Sequence, residues 1–270
     1  MSSRGDHAQA VTVPEPRRLT AGELTVRIHD TDTAMGRDAA GTVAGVLREA
    51  IATRGSARVI LATGNSQFPL MAALADEAEA HGIDWGRVTV FHMDEYVGID
   101  ADHPASFRRW MRERVVETFA PARMHYIDGN ADPETECARY EALLRESPID
   151  LTCMGIGENG HLAFNEPHEA RFDDPRWTNV ITLDETSRRQ QVGEGHFPDL
   201  EAVPATAISL SIPALLSAGR VVVCAPEARK AAAVHATVHD EISTACPATV
   251  LRRVEQAILY LDADSAARLT

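Results

Sequence analysis

No stretch of this chain is apolar for the ~18 residues that a membrane-spanning helix requires. Positive charge is scarce as well: 26 Lys and Arg stand against 40 Asp and Glu, a net charge of −14. A nucleic-acid partner needs clustered Lys and Arg, and this balance argues against one. A small anionic ligand needs only a few local cations and stays compatible with it. The four cysteines, Cys137, Cys153, Cys224 and Cys246, show no CxxC spacing, and no HExxH motif occurs, so a zinc site is not expected. Cys153 and Cys224 fall in apolar runs and read as small hydrophobes, which suits a reduced, cytoplasmic protein. Met1 to about Thr20 carries charges and two prolines but no apolar core. It is expected to be a flexible extension, not a secretory signal, ahead of a single domain over 21–270. Internal repeats and low-complexity tracts are missing too.

What is present is an alternation of strand-like and helical segments. Leu24–Ile28, Arg58–Ala62, Arg87–His92, Ile149–Cys153, Asn179–Leu183, Ala207–Ser211, Arg220–Ala225 and Ala257–Leu261 read as strands, the last closing the sheet. Helices are expected over about 31–53, 69–81 and 226–239, from Pro104 onward, and from Pro133 behind an Asp132 N-cap. The polar segments 167–177 and 190–204 read as loops or lids. This order predicts an α/β fold: an open, mostly parallel Rossmann-like sheet with helices on both faces. Such sheets bind ligands at the carboxyl ends of their strands.

Three post-strand segments are candidates for that edge. Thr63-Gly64-Asn65-Ser66 leads into a helix and reads either as an anion site built from backbone N–H groups or as a plain N-cap through Ser66. It lacks the GK[ST] ending of a Walker loop. Asp94 and Glu95 sit side by side at a strand exit with side chains expected on opposite sides. One carboxylate could act as a proton-abstracting base while the other binds backbone, or both could cap the next helix. The glycine-rich run Met154–Pro167 carries His161 and Glu166, a pair that would fix the imidazole tautomer if the loop curls back. Lys230, one turn into a later helix, is either a phosphate ligand or a solvated surface lysine.

Val90–Gly98 and Gly155–Pro167, with His103-Pro104-Ala105-Ser106-Phe107 between them, make the chain resemble the glucosamine-6-phosphate deaminase/isomerase family, which is related to the 6-phosphogluconolactonases. The likeness runs from about Leu24 to Leu261. It implies Asp94 as the base at carbon 2 of a sugar phosphate, His161 as the ring-opening imidazole and Glu166 as its supporting carboxylate. It further implies phosphate binding by Thr63, Gly64, Asn65, Ser66 and Lys230, with Glu95 and Gly160 among the substrate-binding positions. The implied mechanism uses no metal and no organic cofactor, and the implied partners are a small sugar phosphate and further copies of the chain in a homo-oligomer.

Three positions depart from the family pattern. Asn159 stands where the central loop has Asp, so an amide that cannot take a proton occupies a catalytic position. The phosphate turn reads Gly64-Asn65-Ser66 in place of Gly-Gly-Thr. Around Arg188 and Arg189, where the family's phosphate-contacting arginine is sought, the sequence diverges. Arg176 lies near the effector region of allosteric members, but its surroundings differ and no regulation is expected. The reading is therefore a deaminase/isomerase acting on glucosamine 6-phosphate or a close relative. The alternatives are a 6-phosphogluconolactonase-type hydrolase and a sugar-phosphate sensor without turnover.

Overall fold

A computed structural model describes residues 15–193 and 195–269, with the backbone alone for 79–81. In chain order the elements are β1 (Arg17–Ala21), β2 (Leu24–Ile28), α1 (Asp32–Arg54), β3 (Ala57–Leu61), α2 (Phe68–His81), β4 (Val88–His92), β5 (Asp94–Tyr96), α3 (Phe107–Met111), α4 (Glu117–Phe119), β6 (Arg123–His125), α5 (Pro133–Arg145), β7 (Leu151–Met154), β8 (Thr178–Thr182), α6 (Glu185–Gly193), β9 (Thr206–Leu210), α7 (Ile212–Leu216), β10 (Arg220–Cys224), α8 (Ala231–His239) and β11 (Ala257–Leu261). Eight strands form one sheet in the order β1-β2-β11-β10-β7-β3-β4-β6, parallel throughout except for the β1–β2 hairpin. β5, β9 and β8 make a separate antiparallel sheet.

The expected α/β architecture is present, and strand alternation divides its core in two. Val59, Leu61, Leu151, Cys153, Val222 and Cys224 face α1 and α2, while Ile60, Phe91, Met154, Val221 and Val223 face α5, α7 and α8. Successive strands run from β3 outward through β4 to β6, and β7 then pairs on the other side of β3. That reversal is a topological switch point, and the loops leaving β3 and β7 diverge there to open a crevice. None of the described helices is long and apolar enough to cross a membrane.

Several expected boundaries move. The described end of the predicted N-terminal extension is a strand, because Arg17–Ala21 pairs with Leu24–Ile28; residues 1–14 lie outside the described residues. β11 does not close the sheet but lies inside it, between β2 and β10. The helix expected from Pro104 starts at Phe107, since residues up to Ser106 form turns. Asp132 caps α5 as expected, accepting the Thr135 N–H at 3.0 Å. The predicted loop over 190–204 begins as the end of α6, a helix with too few apolar residues to betray itself.

Gly36 lets α1 and α2 approach: a Cβ there would sit 2.4 Å from the Pro69 carbonyl oxygen. Gly36→Ala should therefore lower stability by about 1–3 kcal/mol through forced separation of the helices. Gly41→Ala, in the same helix with open space around it, should raise stability by up to about 1 kcal/mol. Paired thermal melts of the two variants check this difference in sign.

Candidate active site

Four strand ends contribute to one cleft: those of β3, β4, β7 and β10. Its lining includes Thr63 to Ser66, Asp94, Gly155 to Gly157, His161, Arg229 and Lys230, roofed by Gln190, Gln191 and His196. After β3, Gly64 adopts φ +98°, a conformation that L side chains rarely take, and a 3-10 turn over Asn65–Gln67 runs into α2. No side chain caps either helical start, so the plain N-cap reading of Ser66 is not the arrangement present. The Ser66 hydroxyl instead accepts from the amide of fully buried Gln67 at 3.1 Å.

The two adjacent carboxylates part company, as the pleat requires. Glu95 turns away from the cleft, and its carboxylate accepts from the Ser106 hydroxyl at 2.7 Å and from the backbone N–H groups of Arg108 at 2.9 Å and Phe107 at 3.2 Å. It caps α3, contrary to the expectation that it binds substrate. Burial still pushes its carboxyl above the ordinary range, against the pull of those hydrogen bonds. Asp94 faces the cleft and is 6% exposed. Burial, with the Glu95 charge second, pushes its carboxyl up to about 8. The strand end before it is fixed from behind: the Tyr140 hydroxyl donates to the His92 carbonyl at 2.8 Å, and the His92 Nε2 accepts from Ile127 N–H at 2.8 Å.

The loop after β7 curls back on itself. His161 and Gly157 are joined by an N–H···O bond of 2.9 Å, and the imidazole lies directly over Gly157, where a Cβ would stand 2.3 Å from Nε2. Only glycine leaves room for this ring. The His161 Nδ1 is 3.5 Å from Glu166 Oε2, within ion-pair reach, and 3.3 Å from the Ser187 hydroxyl of α6. Asn159 accepts the His161 N–H at 3.1 Å through Oδ1 and donates to Glu166 Oε2 at 2.7 Å through Nδ2. Burial raises the Glu166 carboxyl, but His161, Ser187 and Asn159 outweigh it and hold the group below its ordinary range. Gly160 does not line the cleft; its Cα packs against the thiol of Cys246.

After β10, Glu227 takes φ +81°, a costly conformation for a residue with a side chain, while its N–H points at the buried Asp262 carboxylate at 3.1 Å. The next turn presents Lys230, 4% exposed, and Arg229, which also reaches Glu227 at 2.8 Å and Glu158 at 3.4 Å. Arg188 and Arg189 do not reach the cleft. Arg188 donates to the carbonyls of Leu200 and Val203, and Arg189 pairs with Glu185. The arginine of the cleft is Arg229, which has no motif of its own apart from adjacency to Lys230. Arg176 pairs with Glu134 on the surface. Among the described residues no group of three His, Cys, Asp or Glu is arranged to hold a metal ion.

A model of the family described as glucosamine-6-phosphate isomerases/6-phosphogluconolactonase matches residues 30–260. The chain belongs to that family. It is 38% identical over 216 residues to a glucosamine-6-phosphate deaminase of Exiguobacterium sibiricum, covering 78% of this chain and 80% of the relative. It is 34% identical over 222 residues to one of Bacillus cereus, covering 82% and 81%. The solved structure of a monomeric glucosamine-6-phosphate deaminase superposes with a TM-score of 0.83 at 29% identity, covering 90% of this chain and 98% of that one. A 6-phosphogluconolactonase from Shewanella baltica superposes at 0.71 with 20% identity, covering 90% and 98%, a likeness of fold alone.

The raised Asp94 carboxyl has a consequence for stability. The folded chain keeps a proton on it up to about 8, whereas an unfolded Asp loses it near 4, so stability falls as pH rises through that window. Asp94→Asn removes the ionisation. Its melting temperature should exceed that of the parent chain, by a gap that is small at pH 4–5 and grows to the equivalent of a few kcal/mol at pH 8–9, on the order set by linkage. Thermal melts across pH 4–9 measure the gap; a constant difference would contradict the burial of this carboxylate.

Proposed function

We propose that this protein converts glucosamine 6-phosphate, or a close relative, to fructose 6-phosphate and ammonia. The single observation that carries the reading is the desolvated Asp94 carboxylate sharing one cleft with His161. A general base works best with a pKa near the operating pH, and a carboxylate at about 8 suits removal of a weakly acidic C–H proton. Hydrolysis of a lactone involves no such abstraction, which places the lactonase reading second.

In the proposed sequence the phosphate is anchored by the Thr63–Ser66 turn and Lys230, with Arg229 alongside. Anchoring turns binding energy into orientation of the distant reactive carbons. His161, paired with Glu166, moves the proton that opens the pyranose ring. Asp94 then removes the hydrogen of carbon 2, giving an enolamine. Reprotonation at carbon 1 yields the imine at carbon 2, and water releases ammonia from it to leave the ketose phosphate. Each proton taken is returned, so no oxidant or reductant is consumed.

A cytoplasmic location belongs to the same reading, and the four unpaired thiols and this substrate class support it. A homo-oligomer is what the family resemblance implies, whereas the solved relative at 29% identity is monomeric. Light scattering on the purified chain decides between these states.

Incubation with glucosamine 6-phosphate should release ammonia and fructose 6-phosphate in equal amounts. kcat/KM should rise with pH and level off above about 8 as Asp94 ionises. Asp94→Asn should lower kcat by about 10²–10⁴-fold, the range of general-base catalysis. Rapid hydrolysis of 6-phosphogluconolactone without ammonia release would reverse the ranking. Tight sugar-phosphate binding with no turnover would favour the sensor.

A further inference from the structure

Position 159 and the roof helix together pose a question that the proposed chemistry leaves open: what holds the His161–Glu166 pair in register. The Asn159 amide is fixed in orientation, because its Oδ1 must be the atom that accepts the His161 N–H and its Nδ2 the one that meets Glu166 Oε2 at 2.7 Å. A carboxylate at position 159 would set two acidic oxygens at that separation. Two such groups cannot both ionise, and one proton would be shared between them.

Ser187 supplies a second contact from a different element. It is 2% exposed, and its hydroxyl lies 3.3 Å from the same Nδ1 that faces Glu166. Three and four residues further along α6, Gln190 and Gln191 line the cleft. Residues at this spacing share a helix face, so the surface that roofs the cleft is rigidly joined to the hydroxyl on the imidazole. Among the described residues that bear on Glu166, His161 is the ionisable one, while Asn159 on its own loop and Ser187 on α6 are neutral.

We propose that Asn159 and Ser187 are positioning residues, two neutral hydrogen-bonding groups that keep Glu166 as the sole carboxylate partner of His161, with Ser187 linking that pair to the roof over the substrate. The role of His161 itself rests on the function proposed above, but the arrangement does not. The substitution of Asp by Asn thus rebuilds the support of the imidazole with one negative charge fewer, and does not inactivate it.

The test begins on the substrate-free protein with carboxyl-labelled Asp and Glu observed by carbon-13 NMR. In the parent chain Glu166, assigned through Glu166→Gln, should titrate below the ordinary glutamate range. Asn159→Asp should add a carboxyl that keeps its proton into the neutral range, and this step should vanish in the Asn159→Asp/Glu166→Gln double variant. Ser187→Ala should move the Glu166 titration upward and lower kcat about 3- to 10-fold, the worth of one net hydrogen bond. Ser187→Thr, which keeps the hydroxyl, should restore both. An Asn159→Asp titration curve without a new step, or a Ser187→Ala variant with unmoved Glu166, overturns the proposal. Because the titrations need no sugar, failure of ammonia release would refute the proposed reaction without touching this inference.

Discussion

Removing the Asp94 carboxylate from water, next to a second buried carboxylate, is unfavourable, and the surrounding architecture exists in a form that can bear it. Burial of Asp94 raises its proton affinity, and the buried Glu95 charge adds to the effect. What offsets the loss is the two-sided core of the parallel sheet. Apolar residues of β3, β4, β7 and β10 pack against helices on both faces and hold the strand ends rigid. Asp94 faces the cleft, where it can act on a substrate; Glu95, one residue along, is engaged by Ser106 and the first N–H groups of α3, which offset only part of the cost of its burial. The same residue chemistry is sorted into two fates by the pleat of β5, a three-residue strand paired with β9.

The imidazole side of the cleft follows the opposite logic. Glu166 is as buried as Glu95, yet hydrogen-bonding partners and His161 hold it ionised. One cleft therefore contains a carboxylate that resists ionisation facing an imidazole whose partner carboxylate favours it. Pairs of acidic groups driven apart in this way are how acid and base duties are separated at a single pH. Gly157 makes the juxtaposition possible by leaving the space into which the His161 ring settles.

Legibility in the sequence tracked the length scale of the interaction. The runs Arg58–Ala62 and Arg220–Ala225 are apolar on both faces, and Ile149–Cys153 on one, which suffices to read all three as buried strands. Asp132-Pro133 announced a helix start because capping is local. Asp94, His161 and Glu166 were visible as chemistry-bearing types at strand exits, and Lys230 through its family position. By contrast, Asn179–Leu183 and Ala207–Ser211 read as strands, but nothing local says that these segments, β8 and β9, leave the main sheet to join Asp94–Tyr96. Arg17–Ala21 has an edge strand's polar face and passed for a tail. Gln67, Ser187, His196 and Arg229 gain their places only from tertiary packing, and which of Asp94 and Glu95 binds backbone is decided by partners eleven to thirteen residues further on.

The seam between β2 and β11 reaches across almost the whole chain, with Thr25 opposite Ile258 and Ile28 opposite Leu261. During synthesis the hairpin of β1 and β2 precedes β11, and its inner edge stays unsatisfied until β11 has been made. Loop closure over such a span is entropically slow, and an exposed parallel edge invites wrong partners. Completion of the sheet around β2 thus waits on β11, and Ala257–Leu261 decides whether the first hairpin has anywhere to dock.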